Sequence, residues 1–334
     1  MTAEQKKGAG PFLRVLIVDP IAPAGEELLS RHHFEVVRAP DSAPGTINRL
    51  AATCDGVITR SKLPDDLLSA APRIRAIAIH GTGIDLAPLA EATAKGVPVS
   101  NLPGVNAQSV AQYCVMAMLM LARNAVPIVS SLRSSTWDSA RALGAENHEI
   151  DAMTVGIVGV GEIGKRVARI CRDGFGMRVL GHQRRLDRLP PQAVPASLDE
   201  LIRASDFIVV TCPLTPETHH LFNRNRIQMM KSSAWVINVG RGAVVQEEAL
   251  IEALREKRIA GAMLDVYERY RLEPGHPLFS LDNVVLTPHL AGMTVESRAR
   301  MGVAAAEEVM RMLNGEQPKN FVNPDSWRKT CAHS

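Results

Sequence analysis

Short β-branched runs alternate with stretches of helical periodicity twice along the chain. The first round opens on Arg14–Val18, which ends at Asp19-Pro20, and predicts further strands at Gly56–Thr59, Ile74–Ile79 and Val97–Ser100. Helical patterns such as Leu86–Lys95 lie between them. A Pro/Gly/Asn loop, Asn101–Asn106, closes this round, and a nearly all-round apolar helix follows over Ala107–Arg123. Such a helix belongs in a core, so Met116, Met118 and Met120 read as core filler. Ser130–Ile150 reads as polar and irregular around one large apolar anchor, Trp137. It is either an interdomain connection or an arm reaching a partner subunit. The second round predicts strands at Thr154–Val158, Arg178–Leu180, Phe207–Thr211, Ala234–Asn238, Ala260–Leu264 and Val284–Leu286, then a final helix over Val295–Leu313. Strands separated by helices predict α/β architecture, with parallel sheets and right-handed crossovers.

A chain of 334 residues suits two such domains better than one. Hydrophobic residues at 46% and charged residues at 22% describe a globular protein, most simply an enzyme. A net charge of +3 with only 4% aromatics argues against a nucleic-acid partner. No apolar run has the length of a membrane span, and MTAEQKKGAG lacks the apolar core of a secretory signal. Cys54, Cys114, Cys171, Cys212 and Cys331 are scattered without CxxC spacing, which fits buried thiols in the cytoplasm. No metal is expected, because His219-His220 has no third ligand at a suitable spacing and reads as surface.

Gly159-Val160-Gly161-Glu162-Ile163-Gly164 follows the strand Thr154–Val158 and opens a helix with Ile163, Val167 and Ile170 on one face. In that setting the glycines serve a tight turn, backbone approach to a pyrophosphate, and close helix–strand packing. The helix N-terminus adds unpaired N–H groups for the anion, so a dinucleotide site is predicted. About 20 residues further on, an acid normally binds the ribose hydroxyls. Here the segment reads Gly181-His182-Gln183-Arg184-Arg185, with Gln183 in the acid's place. A carboxylate would repel a 2′-phosphate, so its absence beside Arg184 and Arg185 favours NADP over NAD. The alternative is a merely solvated basic loop that also includes Arg188.

Asn238-Val239-Gly240-Arg241-Gly242 places an arginine between glycines just after a strand, suited to bidentate binding of a carboxylate and a carbonyl oxygen. Thr287-Pro288-His289-Leu290-Ala291-Gly292 puts a histidine at the carboxyl end of another strand, where an acid/base is useful.

At this point the chain resembles the D-2-hydroxyacid dehydrogenases, which include glyoxylate/hydroxypyruvate reductases and phosphoglycerate dehydrogenases. The likeness covers nearly the whole length. It rests on His80–Asp85 (HGTGID), Asn101–Tyr113 (NLPGVNAQSVAQY), Gly156–Gly164 (GIVGVGEIG), Thr211–Thr218 (TCPLTPET), Ile237–Val245 (INVGRGAVV), Gly261–Glu268 (GAMLDVYE) and His276–Gly292 (HPLFSLDNVVLTPHLAG). The resemblance implies two Rossmann-like domains. A flavodoxin-like substrate domain is made of residues 1–104 and 291–334, and a dinucleotide-binding domain, 105–290, is inserted into it. It implies a homodimer, NADP or NAD as cofactor, a small 2-oxo or 2-hydroxy acid as substrate, and an active site in the cleft between the domains. Arg241 would orient the substrate and His289 would act as acid/base. Gly159, Gly161, Glu162 and Ile163 would hold the pyrophosphate, and Thr211, Cys212 and Pro213 would pass beneath the adenosine. Ser109 would face the nicotinamide, with Asp265 near its amide. Backbone N–H groups of Gly81, Thr82 and Gly83 would hold the substrate carboxylate, with Arg60 and Asn106 lining the same cleft.

One departure concerns the glutamate that usually partners the histidine. The chain reads LDVYERYRLEPGHPL from Leu264 to Leu278, which puts Tyr270 in the glutamate's place and a Glu273-Pro274 pair three residues late. Either Glu273 reaches His289 through a bulged loop, or Tyr270 hydrogen-bonds it without supplying charge. Glu273 is preferred, because reduction near neutral pH needs a charged proton donor. Arg60 either accepts an extra anionic group on the substrate or forms a surface ion pair. Two other readings remain: a non-catalytic NAD(P)-sensing binding protein of the corepressor kind, and a different enzyme on the same scaffold, such as a formate dehydrogenase.

Overall fold

Val15, Leu16 and Ile17 are buried in Arg14–Ile17 (β1), an interior strand of a five-stranded parallel sheet. The sheet also contains Glu35–Arg38 (β2), Gly56–Thr59 (β3), Ala76–Ile79 (β4) and Val99–Ser100 (β5), in the order β2-β1-β3-β4-β5. That is the flavodoxin-like order. Alternate side chains feed two cores, as buried parallel strands require. Val15, Ile17 and Ile58 pack with Met301, Ala305 and Val309 of the helix Val295–Leu313. Leu16, Val57 and Ile77 pack on the other face with Ile47 and Leu67. The helix Pro23–Arg31 lies so close to Val295–Leu313 that a Cβ on Gly25 would fall 2.5 Å from the Gly302 carbonyl oxygen.

The second sheet has seven parallel strands: Thr154–Val158 (β6), Arg178–His182 (β7), Val194–Pro195 (β8), Phe207–Val210 (β9), Trp235–Asn238 (β10), Gly261–Leu264 (β11) and Val284–Leu286 (β12). Their order is β12-β11-β10-β9-β6-β7-β8. Counted from β6, this is the doubly wound dinucleotide-binding order with one strand added, and it reverses between β6 and β9. Val155, Ile157, Phe207 and Val209 pack against the apolar helix Ala107–Ala122, while Val158, Ile208 and Val210 face the opposite core. This computed structural model describes residues 12–269 and 271–327. It divides into two compact units, one made of both chain ends up to Asn106 and from Met293, the other Ala107–Gly292. The architecture is thus two parallel-sheet α/β domains of Rossmann-like topology.

Three segments differ from the sequence reading. β2 holds only two apolar residues between charges, and β8 is two residues long, so neither carries a periodic signal. Within Ser130–Ile150, read as irregular, the chain forms the helices Ala125–Ser134 and Trp137–Ala142. Neither carries a continuous buried stripe: no residue of Ala125–Ser134 is buried, and Trp137–Ala142 is started by a cap, Thr136 Oγ1 accepting from the Ser139 N–H at 3.2 Å. Among the described residues no single helix is long and apolar enough to cross a membrane. Cys54, Cys114, Cys171 and Cys212 are unpaired and buried. MTAEQKKGAG, Tyr270 and Cys331 lie outside the described residues.

Candidate active site

β6 delivers the glycine loop to the point where the strand order reverses, the usual place for a ligand in such sheets. Two of its glycines are dictated by the protein itself. Gly159 has φ +93°, and a Cβ there would lie 2.5 Å from the Cys212 backbone nitrogen; a Cβ on Gly164 would lie 2.7 Å from the Gly159 oxygen. Gly161 is different: a Cβ on it would meet nothing within 4 Å. It borders open space at the N-terminus of the helix Glu162–Arg169, whose first N–H groups have no intrahelical acceptor. That cradle fits a dinucleotide pyrophosphate. Thr211 ties the two switch-point loops together, its N–H donating to Val158 O at 2.9 Å and its hydroxyl to Gly159 O at 2.6 Å. Burial pushes the adjacent Cys212 thiol up to about 11, so it is no nucleophile. The Glu162 carboxylate is taken up by Arg166 at 2.8 Å and Lys165 at 3.6 Å. Ile163 packs on the core, and Pro213 is exposed. After β7, Gln183 donates to Arg185 O at 2.8 Å, and Arg184 and Arg185 are exposed with no ion pair among the described residues.

Arg241 and His289 follow β10 and β12, the strands on either side of β11. The end of β10 and the segment just after β11 supply the parts that set both loops. The buried Asn238 side chain accepts from the Gly240 N–H and donates to Arg241 O, each at 3.1 Å, which shapes the arginine turn. Gly242 then sits directly on the chain beyond β11: a Cβ would land 1.8 Å from the Tyr267 carbonyl. On the other side, the buried Asp265 carboxylate accepts from Thr287 Oγ1 at 2.6 Å, Leu290 N at 2.8 Å and Ala291 N at 2.9 Å. Its backbone oxygen accepts the His289 N–H at 3.0 Å. Tyr267 and Tyr113 hydroxyls bond Thr287 O and Oγ1 at 2.8 and 2.6 Å. His289 is held at φ +54°, a left-handed conformation that costs a non-glycine residue about 1–2 kcal/mol and persists only where the surroundings impose it. Its exposed side chain borders a groove shared with Tyr267, Arg271, Leu272 and Phe279.

Sequence reasoning placed Asp265 near a nicotinamide amide but gave no sign of this anchoring, because its partners lie more than twenty residues along the chain. Ser109 is buried in the first turn of Ala107–Ala122. No hydrogen bond or ion pair joins Glu273 to His289 among the described residues. Glu273 is exposed, and its carboxylate makes no hydrogen bond or ion pair at all among the described residues. Tyr270, its alternative, lies outside those residues.

In the other unit, the Gly81 N–H is already used, donating to Ile79 O at 2.8 Å. The N–H groups of Thr82 and Gly83 have no acceptor among the described residues, so an anion on this loop would meet those two. Asp19 holds the neighbouring turn, accepting from Arg60 N, Ser61 N and Ser61 Oγ at 2.7 Å each. The Arg60 guanidinium touches Met293 Sδ at 3.6 Å and forms no ion pair among the described residues. Asn106 is half-buried at the end of the 101–106 loop. His80, just before the glycines, is buried with both ring nitrogens unpartnered, and burial, reinforced by Arg60, holds its pKa down to about 4.

Fold and site together define a pyridine-nucleotide oxidoreductase, with the glycine cradle at the switch point and an arginine and a histidine at the carboxyl ends of the two strands that flank β11. Comparison with known proteins makes the class specific. Residues 115–291 match the family described as D-isomer specific 2-hydroxyacid dehydrogenase, NAD binding domain. The chain is 38% identical over 324 residues to a glyoxylate reductase of Aeropyrum pernix, covering 93% of this chain and 96% of that one. It is 38% identical over 296 residues to glyoxylate/hydroxypyruvate reductase B of Pectobacterium carotovorum, covering 87% and 92%. The crystal structure of the NADPH-dependent glyoxylate/hydroxypyruvate reductase of Sinorhizobium meliloti in complex with NADP and malonate superposes with a TM-score of 0.82 at 28% identity, over 94% of this chain and 98% of that one. The chain belongs to the D-2-hydroxyacid dehydrogenase family. It is an NAD(P)-dependent dehydrogenase that interconverts 2-oxo and 2-hydroxy acids, and these findings lend nothing to a non-catalytic sensor.

Proposed function

We propose that the preferred reaction is reduction of a short 2-oxo acid of the glyoxylate or hydroxypyruvate kind, with NADPH as donor. The observation that carries this reading is the shared support of the Arg241 and His289 loops by the segment just after β11: one loop packs on Tyr267, the other hangs on Asp265. Loops whose backbones are held in this way present their guanidinium and imidazole from set positions, which favours orientation and protonation. Gly159, Gly161, Glu162, Ile163 and Thr211-Cys212-Pro213, with Ser109 beside them, would hold the nucleotide, which when bound would supply a hydride for the substrate's C2. Arg241 grips the carboxylate and carbonyl oxygens in its bidentate fork, and the Thr82 and Gly83 N–H groups hold the carboxylate. Protonated His289 gives its proton to the carbonyl oxygen as charge builds there, so one hydride and one proton complete the 2-hydroxy acid. Arg60 and Asn106 are further substrate contacts. The small HGTG loop suits a compact acid, and the D configuration follows the family.

The NADPH preference rests on neutral Gln183 beside two unpaired guanidiniums. A protomer pair is supported by exposed Val126, Val129 and Leu132, spaced three apart on one helix near exposed Trp137. Buried unpaired thiols support a cytoplasmic location. A panel of 2-oxo acids assayed with both cofactors tests the main reading. Glyoxylate or hydroxypyruvate should oxidise NADPH with kcat/KM about tenfold or more above NADH, roughly 1.4 kcal/mol of discrimination. Silence with every 2-oxo acid would refute the substrate class, and equal use of both cofactors would refute the preference.

A further inference from the structure

We propose that His219, His220 and Glu268 form a binding site for a borderline divalent cation, zinc foremost, that ties down the loop carrying Arg241. The sequence shows a histidine pair without a third ligand; the fold brings Glu268 to it. One ligating atom from each of the three lies within 4.8 Å of the others. His220 Nε2 and Glu268 Oε1 are 2.7 Å apart, and the two imidazole centroids are 4.0 Å apart. Zinc bonds of about 2.0–2.1 Å at a tetrahedral angle place neighbouring ligand atoms about 3.3 Å apart. The histidine–glutamate pair therefore opens slightly while His219 closes in, and both His219 and Glu268 are exposed enough to rotate. Two imidazoles and a single carboxylate select zinc, cobalt or nickel over magnesium or calcium, which require mostly oxygen ligands. Water completes the shell.

The surroundings hold these ligands as a metal site requires. Glu268 Oε2 accepts from the Glu247 N–H at 3.3 Å, and Glu247 Oε2 accepts from the Glu268 N–H at 3.1 Å. The other Glu247 oxygen meets His276 Nε2 at 3.2 Å. His220 occupies the left-handed region at φ +50°, and its N–H donates to Ala243 O at 2.8 Å. The Glu268 nitrogen lies 2.4 Å from where a Cβ on Gly242 would stand. An ion here thus joins the turn after β9, the Arg241 loop and the segment after β11. Its role is structural: it stabilises this corner and takes no part in proton or hydride transfer.

Chelator-treated full-length protein is titrated with zinc, cobalt and magnesium chlorides, by calorimetry, thermal unfolding and visible absorption. One zinc should bind at micromolar concentration and raise Tm, cobalt should develop visible bands without thiolate charge transfer, and magnesium should do neither. His219→Gln, which leaves the His220–Glu268 pair in place, should weaken zinc about tenfold or more without changing metal-free turnover. Absence of zinc binding to the wild type, or unchanged affinity and stoichiometry in His219→Gln, would overturn the site.

Discussion

Asp265 spends its carboxylate on three donors from the 287–291 loop, so the place of the histidine's backbone depends on a buried charge. In Asp265→Asn an amide N–H₂ would face the N–H groups of Leu290 or Ala291, leaving buried donors without acceptors at a cost of about 1–3 kcal/mol. We expect kcat to fall at least about tenfold while the nucleotide Kd changes little, since loss of His289 placement acts on the transition state; steady-state kinetics with fluorescence titration checks this. Glu273, by contrast, has an exposed carboxylate with no hydrogen bond or ion pair among the described residues. Glu273→Gln should keep kcat within about threefold, as exposed substitutions usually do, and a tenfold loss would return the acid's partner role to it. His80 carries a pH dependence. Its ring stays neutral in the fold because burial lowers its pKa from 6.5 to about 4, whereas the unfolded chain takes up the proton below 6.5. Stability from this group is complete above pH 6.5 and is lost as pH falls toward 4. By pH 5 the loss is about 2 kcal/mol, and urea unfolding of His80→Phe at pH 7 and 5 should show a correspondingly flatter dependence.

At the scale of elements, the glycine loop separates what the protein needs from what a ligand needs. Alanine at Gly159 meets a positive φ and the Cys212 backbone, so Gly159→Ala should cost about 2 kcal/mol or more in thermal unfolding. Alanine at Gly161, with φ −81° and empty space beyond, should leave stability within about 0.5 kcal/mol yet weaken NADPH about tenfold or more. Equal effects of the two on nucleotide affinity per unit of lost stability would show that Gly161 has no ligand to make room for. The motif itself was legible, because a strand, a glycine turn and an amphipathic helix are contiguous. The difference between its glycines was not, because Cys212 reaches Gly159 from beyond β9. The helices at 125–142 escaped notice for a related reason: periodicity reports burial, and these two bury almost nothing.

For the molecule as a whole, the exposed Val126, Val129 and Leu132 stripe is the surface that pairing of two copies would cover. Leu132→Glu should shift a dimer to monomer by light scattering without lowering the yield of folded protein, since the side chain is 48% exposed in the single chain; a monomeric wild type would end the pairing proposal. Most of the strands, the dinucleotide loop, the arginine turn and the histidine turn were written locally, in alternation and in glycines flanking one reactive residue. Those are contiguous patterns, set by backbone sterics and by which faces must avoid water. Tertiary structure alone decided that Asp265 anchors the histidine loop, that Gly81 has spent its N–H while Thr82 and Gly83 have no acceptor among the described residues, and that Glu268 meets His220. Each is a choice of hydrogen-bond partner, and a group's partner is whichever acceptor or donor the packed strands carry to within about 3 Å, a distance that spacing along a chain does not encode.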